Sequence, residues 1–142
     1  MISENIVKEI KEYASKLEIP EVKIKNFIEL INKKLRNDIV IDFFVSNAKE
    51  SYGVSDNTLQ FNIFTDKYFF EFKLNNLEIY YDIIFIDDIR LSGLLETEKT
   101  KLTLRIESNF QEVKTKIVTY DDFKFQRLKE FAHKVEDKIF KF

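Results

Sequence analysis

The spacing of apolar residues changes twice along this chain, and those two changes restrict the folds open to it. Before residue 37 apolar side chains recur at helical spacing; from residue 39 they alternate with period two; after residue 121 helical spacing returns. A chain with this pattern builds helices, then an antiparallel sheet, then a helix.

Ser3 is suited to cap a first helix whose apolar stripe is Ile6, Val7, Ile10, Ala14 and Leu17. Pro20 ends that helix by about Leu17, because a residue before proline avoids the α region, and it suits the first turn of the next helix. Ile24, Phe27, Ile28, Ile31 and Leu35 form a second stripe, with Asn37 as its stop. Residues 1–37 therefore read as a helical hairpin.

Residues 38–120 read as about seven antiparallel strands. Ile39, Ile41, Phe43 and Val45 share one face of the first, and a polar loop, Ser46 to Asn57, follows it. Leu59, Phe61 and Ile63 mark the second strand, and Phe70, Phe72 and Leu74 the third, with turns at Asp66-Lys67 and Asn75-Asn76. The fourth, Leu77 to Ile86, is apolar on both faces, the pattern of a central strand covered on each side. Asp87-Asp88 turns the chain into a fifth strand, where Gly93 marks a bend or bulge. Leu102, Leu104 and Ile106 define the sixth, and Val113, Thr115 and Ile117 the seventh. Asp121-Asp122 then caps a long terminal helix over residues 121–142, with Leu128, Phe131, Ala132, Val135 and Ile139 as its buried stripe. With no linker or repeat, residues 1–142 read as a single α+β domain whose sheet is strongly bent or a partial barrel.

That element order resembles two known architectures. Strands and helix over residues 39–142 resemble the pleckstrin-homology superfold, and helices, strands and a long final helix resemble a helix-grip fold. The first would imply phosphoinositide binding only if the loop after the first strand were basic. That loop holds Lys49 alone, set against Glu50 and Asp56.

Composition removes most catalytic chemistry. The chain of 142 residues has no cysteine, which excludes disulfides, thiolate nucleophiles and zinc–cysteine sites. Two glycines leave no phosphate-cradling loop, and a single His133, at the margin of the helix stripe, reads as a surface residue. Asp87-Asp88, with Asp82, lacks the ligand spacing of a calcium loop and reads as a turn. No metal and no cofactor is expected. The longest apolar run, Ile83 to Ile86, is far short of a membrane span, and no export signal is visible, so a cytoplasmic location without membrane attachment is expected.

Net charge is −2, unevenly distributed. Residues 1–36 balance at +2, residues 37–96 at −7 and residues 97–142 at +3. The acidic middle either attracts the basic ends within the fold or presents an acidic side to a basic partner. Lys101, Arg105, Lys114 and Lys116 read as a solvated sheet face; they lack interleaved aromatics, so nucleic acid is not the expected partner.

The sequence thus points to a non-catalytic binding protein of adaptor, inhibitor or immunity type. Its candidate binding residues are Phe44, Phe64, Phe69, Tyr80, Asp82, Asp87 and Asp88. The four aromatics occupy the strand face opposite Phe43, Phe61, Phe70 and Phe72, where either the helical hairpin or a partner covers them. The partner is expected to be another protein with a basic surface, or a second copy of this chain. One alternative is a carrier of an apolar small molecule in a cavity under the sheet; another is an enzyme using carboxylates alone.

Overall fold

The structure, a computed structural model, describes residues 1–48, 57–97, 101–109 and 114–140. Helices α1 (Glu4–Lys16) and α2 (Glu21–Leu35) lead into strands β1 (Val40–Asn47), β2 (Leu59–Thr65), β3 (Tyr68–Leu74) and β4 (Ile79–Phe85). A 3-10 turn, Ile86–Asp88, precedes β5 (Ile89–Thr97), β6 (Lys101–Ser108) and β7 (Lys114–Thr119), and helix α3 (Asp122–Phe140) completes the chain. The fold class is α+β, as the periodicity predicts. The caps behave as expected: Ile6 donates its amide to Ser3 Oγ at 3.3 Å, and Phe123 donates its amide to Asp121 Oδ1 at 3.0 Å.

The strands do not form one bent sheet or a barrel. They divide into two antiparallel sheets, β1–β2–β3–β4 and β5–β6–β7. The break follows from two residues. Ile86 and Ile89, either side of Asp87-Asp88, are buried in the layer beneath the first sheet. The chain therefore drops out of the plane after β4, and β5 starts a new sheet rather than pairing with it.

The four-stranded sheet is covered on both faces, which creates two apolar cores. On one face α1 and α2 bury Ile10, Phe27, Ile31 and Leu35 against Phe61, Ile63, Phe70 and Phe72. On the other, Phe44, Phe64 and Phe69 meet Leu104 and Ile106 of the second sheet and Leu128 and Phe131 of α3. Cover on both sides leaves every residue of β2 buried.

Three expectations about the strands change. A register shift between Val40 and Asp42 breaks the alternation of β1. Ile41 consequently packs in the α3 core while Phe43 and Val45 pack in the hairpin core, and Ile39 is exposed. The hairpin covers the Phe61/Phe70/Phe72 face, not the face of Phe44, Phe64 and Phe69. The third change concerns β4, which pairs only with β3 among the described residues and is an edge, not a central strand.

Polar side chains are also buried between the layers. Gln60, Asn62 and Glu71 are buried on the face that meets the second sheet, where Gln60 and Glu71 bond to β7. Thr115 Oγ1 donates to Glu71 Oε2 at 2.9 Å, and Gln60 Nε2 donates to the Lys116 carbonyl at 3.0 Å. These bonds tie the second sheet onto the first and satisfy Glu71 Oε2 and Gln60 Nε2, while Gln60 Oε1 and Asn62 Nδ2 are buried without a hydrogen-bond partner among the described residues. No helix among the described residues is long and apolar enough to cross a membrane.

Candidate functional site

The free edge of the first sheet has a definite chemical character, set by backbone phase. In an antiparallel ladder, alternate residues bond toward a given neighbour. The Ile86 amide donates to the Lys67 carbonyl at 2.8 Å, and the Asn75 amide to the Glu78 carbonyl at 3.1 Å. Combined with the register Tyr68↔Phe85 to Leu74↔Ile79, these bonds turn the backbone groups of Tyr80, Asp82 and Ile84 toward β3. Ile79, Tyr81, Ile83 and Phe85 direct their N–H and C=O groups outward, where no described strand meets them.

The same residues present apolar side chains. Tyr81, Ile83 and Phe85 are 37, 44 and 56% exposed on the hairpin side of the sheet. Ring contacts hold two of them in place: Phe85 lies 5.1 Å from Tyr68 and Tyr81 lies 5.9 Å from Phe72, centroid to centroid. Natural edge strands are usually blunted with lysine, proline or a bulge. Between Ile79 and Phe85 the only charge is Asp82, and there is no proline.

Beside this edge, the end of α2 and the β2–β3 turn frame a groove of about 580 Å³. Tyr68, Phe70, Ile83 and Phe85 form its floor, and Lys33, Lys34, Arg36 and Lys67 stand around it with one carboxylate, Asp38. Lys34 Nζ sits 4.9 Å above the Tyr81 ring, a cation–π contact that joins rim to edge. On the opposite face of β4, Lys73 Nζ lies 5.5 Å from the Tyr80 ring. Burial, followed by the carboxylates of Glu78, Glu71 and Asp82, raises the Tyr80 phenol above its ordinary value.

The structure separates the residues that the sequence grouped. Phe44, Phe64 and Phe69 are core side chains, closed over by α3: Phe131 packs 6.3, 5.4 and 6.1 Å from their rings. All three are buried in that core. Tyr80 and Asp82 are exposed on β4. Asp87 and Asp88 form the 3-10 turn beyond it, where the Asp88 carbonyl accepts the Asn109 amide at 2.7 Å. Ile83, Phe85 and the cations of α2 were not singled out by the sequence. The signal available was the doubly apolar pattern of β4, which a buried central strand and a docking edge share.

The remaining candidates resolve into structural roles. Asp42, nearly buried on β1, accepts two hydrogen bonds from the Arg127 guanidinium of α3 and lies 3.5 Å from Lys134 Nζ. Burial opposes the charge of Arg127, but the hydrogen bond and Coulombic attraction of Asp42, with Glu9 and Glu130, outweigh it and raise its pKa. Glu71, the other buried carboxylate, bonds Thr115 and pairs with Lys73 at 3.4 Å. His133 is exposed, 3.7 Å from Glu136. Among the described residues no group of three or more His, Asp or Glu is placed to hold a metal. Arg105 and Lys116 are exposed on the second sheet as expected. The Lys114 side chain and Lys49, Glu50, Gly53, Asp56 and Val113 lie outside the described residues.

Comparison with known protein families, with curated proteins and with solved structures finds no match to this chain. The functional reading therefore rests on the geometry of the β4 edge.

Proposed function

We propose that this is a non-catalytic binding protein that adds an extended segment of another polypeptide to the edge of β4. One observation carries the reading: at Tyr81, Ile83 and Phe85 the outward backbone groups and the exposed apolar side chains coincide. Strand addition needs both. The backbone supplies the ladder of hydrogen bonds, and alternate side chains supply selectivity. Aromatic residues at such an edge offer large contact area with few rotamers to freeze, so they concentrate binding energy. A surface of this kind is compatible with an adaptor, an inhibitor or an immunity-type role.

A photo-crosslinking residue at position 81, compared with one at the exposed Phe123 on α3, tests this in cells. Crosslinks to another chain are expected from position 81 and not from position 123. They are expected to disappear with Ile83→Pro, which removes an outward N–H without disturbing a bond to β3. Equal crosslinking from both positions, or crosslinks that survive Ile83→Pro, would refute strand addition at β4.

A further inference from the structure

Strand addition alone does not say what sequence the added strand carries. Resting on that reading, we infer that the partner segment is acidic, with carboxylate side chains that enter the groove between α2 and β4. Four cations, Lys33, Lys34, Arg36 and Lys67, surround the groove against the single carboxylate of Asp38. A strand laid along Tyr81, Ile83 and Phe85 sends alternate side chains to this face, beside the apolar floor and within reach of the cationic rim. Carboxylates on those side chains meet charges of opposite sign, and the field of the rim draws an acidic segment toward the edge.

The groove reverses the sign of partner that the segment charges favour. The acidic balance belongs to residues 37–96, but α2 comes from the basic N-terminal segment and brings its cations to the hairpin side of β4. A second copy of this chain is a poor occupant for the same reason. Antiparallel self-pairing about a two-fold axis normal to the sheet keeps both hairpins on one face, and the side chains a second β4 sends to that face, Ile79, Tyr81, Ile83 and Phe85, carry no carboxylate to meet the cationic rim.

The test uses three synthetic peptides of equal length, alternating isoleucine with glutamate, with glutamine or with lysine. Affinity is measured at low and at raised salt, and amide exchange at Tyr81, Ile83 and Phe85 reports strand addition. The glutamate peptide is expected to bind on the order of tenfold more tightly than the others at low salt, with a smaller advantage at raised salt. Lys33→Glu with Lys67→Glu, both at exposed positions, is expected to move the preference to the lysine peptide. Protection of the three amides with no charge preference, or with preference for lysine in the unaltered protein, overturns the acidic partner and leaves strand addition standing. Absence of protection with all three peptides overturns both. A dimer in sedimentation that protects the Ile83 amide without peptide overturns the acidic partner in favour of self-association.

Discussion

Strands β2 and β4 have the same length, and β4 carries the more apolar side chains, yet β2 is buried at every position while β4 is largely exposed. Hydrophobicity did not decide which strand lies inside. β2 has a bonded neighbour on each side and a packed layer on each face; β4 has β3 on one side and, among the described residues, nothing on the other. Polar residues of β2 are buried because the sheet surrounds them, and Gln60 recovers one hydrogen bond from β7. Apolar residues of β4 are exposed because the chain turns away immediately after them. Apolarity on both faces thus does not by itself put a strand inside, and its neighbours decide.

The sharpest way to break this comparison is to truncate one aromatic in each strand. Phe64→Ala in β2 removes a ring packed against Phe69 and Phe131 and is expected to cost about 3–5 kcal/mol in denaturant unfolding. Phe85→Ala in β4 is expected to cost less than about 1 kcal/mol, since the ring is already largely in solvent. Equal costs would mean that β4 is covered in solution and is not a free edge.

Two aspartates extend the contrast with a smaller effect. Asp42→Ala on β1, the other neighbour of β2, leaves Arg127 without its two-fold hydrogen-bonded partner and is expected to cost about 2 kcal/mol, less than a fully buried pair because Arg127 reaches solvent. Asp82→Ala, exposed on β4, is expected to change stability by no more than about 0.5 kcal/mol. A comparable loss in both would show that β4 carries structural ion pairing and that its charge is not simply surface charge.

The smallest effect is one of pH. Because the Tyr80 phenol is raised above 10.0, its ordinary value, the folded chain holds that proton more tightly than the unfolded chain. Its contribution to stability is fully present below that ordinary value and is lost as pH rises through the folded one. Urea midpoints measured between about pH 9 and 11 are expected to fall more steeply in the unaltered protein than in Tyr80→Phe. Parallel slopes would place Tyr80 in ordinary solvent and remove the electrostatic link between β4 and the buried Glu71.

Much of the element list was legible because it is written locally. Ser3, Pro20 and Asp121 act within a turn or two of themselves, and helix and strand periods need only a short window of sequence. The candidate site was legible only in part. Tyr80 and Asp82 are exposed on a strand that the sequence read as central, and Phe44, Phe64 and Phe69 are core, because the cover over them comes from α3, far along the chain. The bulge in β1 was hidden for a similar reason: Ile41 keeps the alternation in sequence, and only the pairing with β2 shows the slip.

The sequence by itself therefore determined the α+β class, the order of helices and strands, and the absence of cysteine chemistry, since composition and short-range periodicity are properties of the chain alone. Only the tertiary structure decided that there are two sheets, that β4 is an edge, and that the cations of α2 stand beside it. Pairing and burial are contacts between distant residues, and the same alternating pattern satisfies several pairings equally well. The burial of Ile86 and Ile89 in the second core selects one of them, and the open edge of β4 is its consequence.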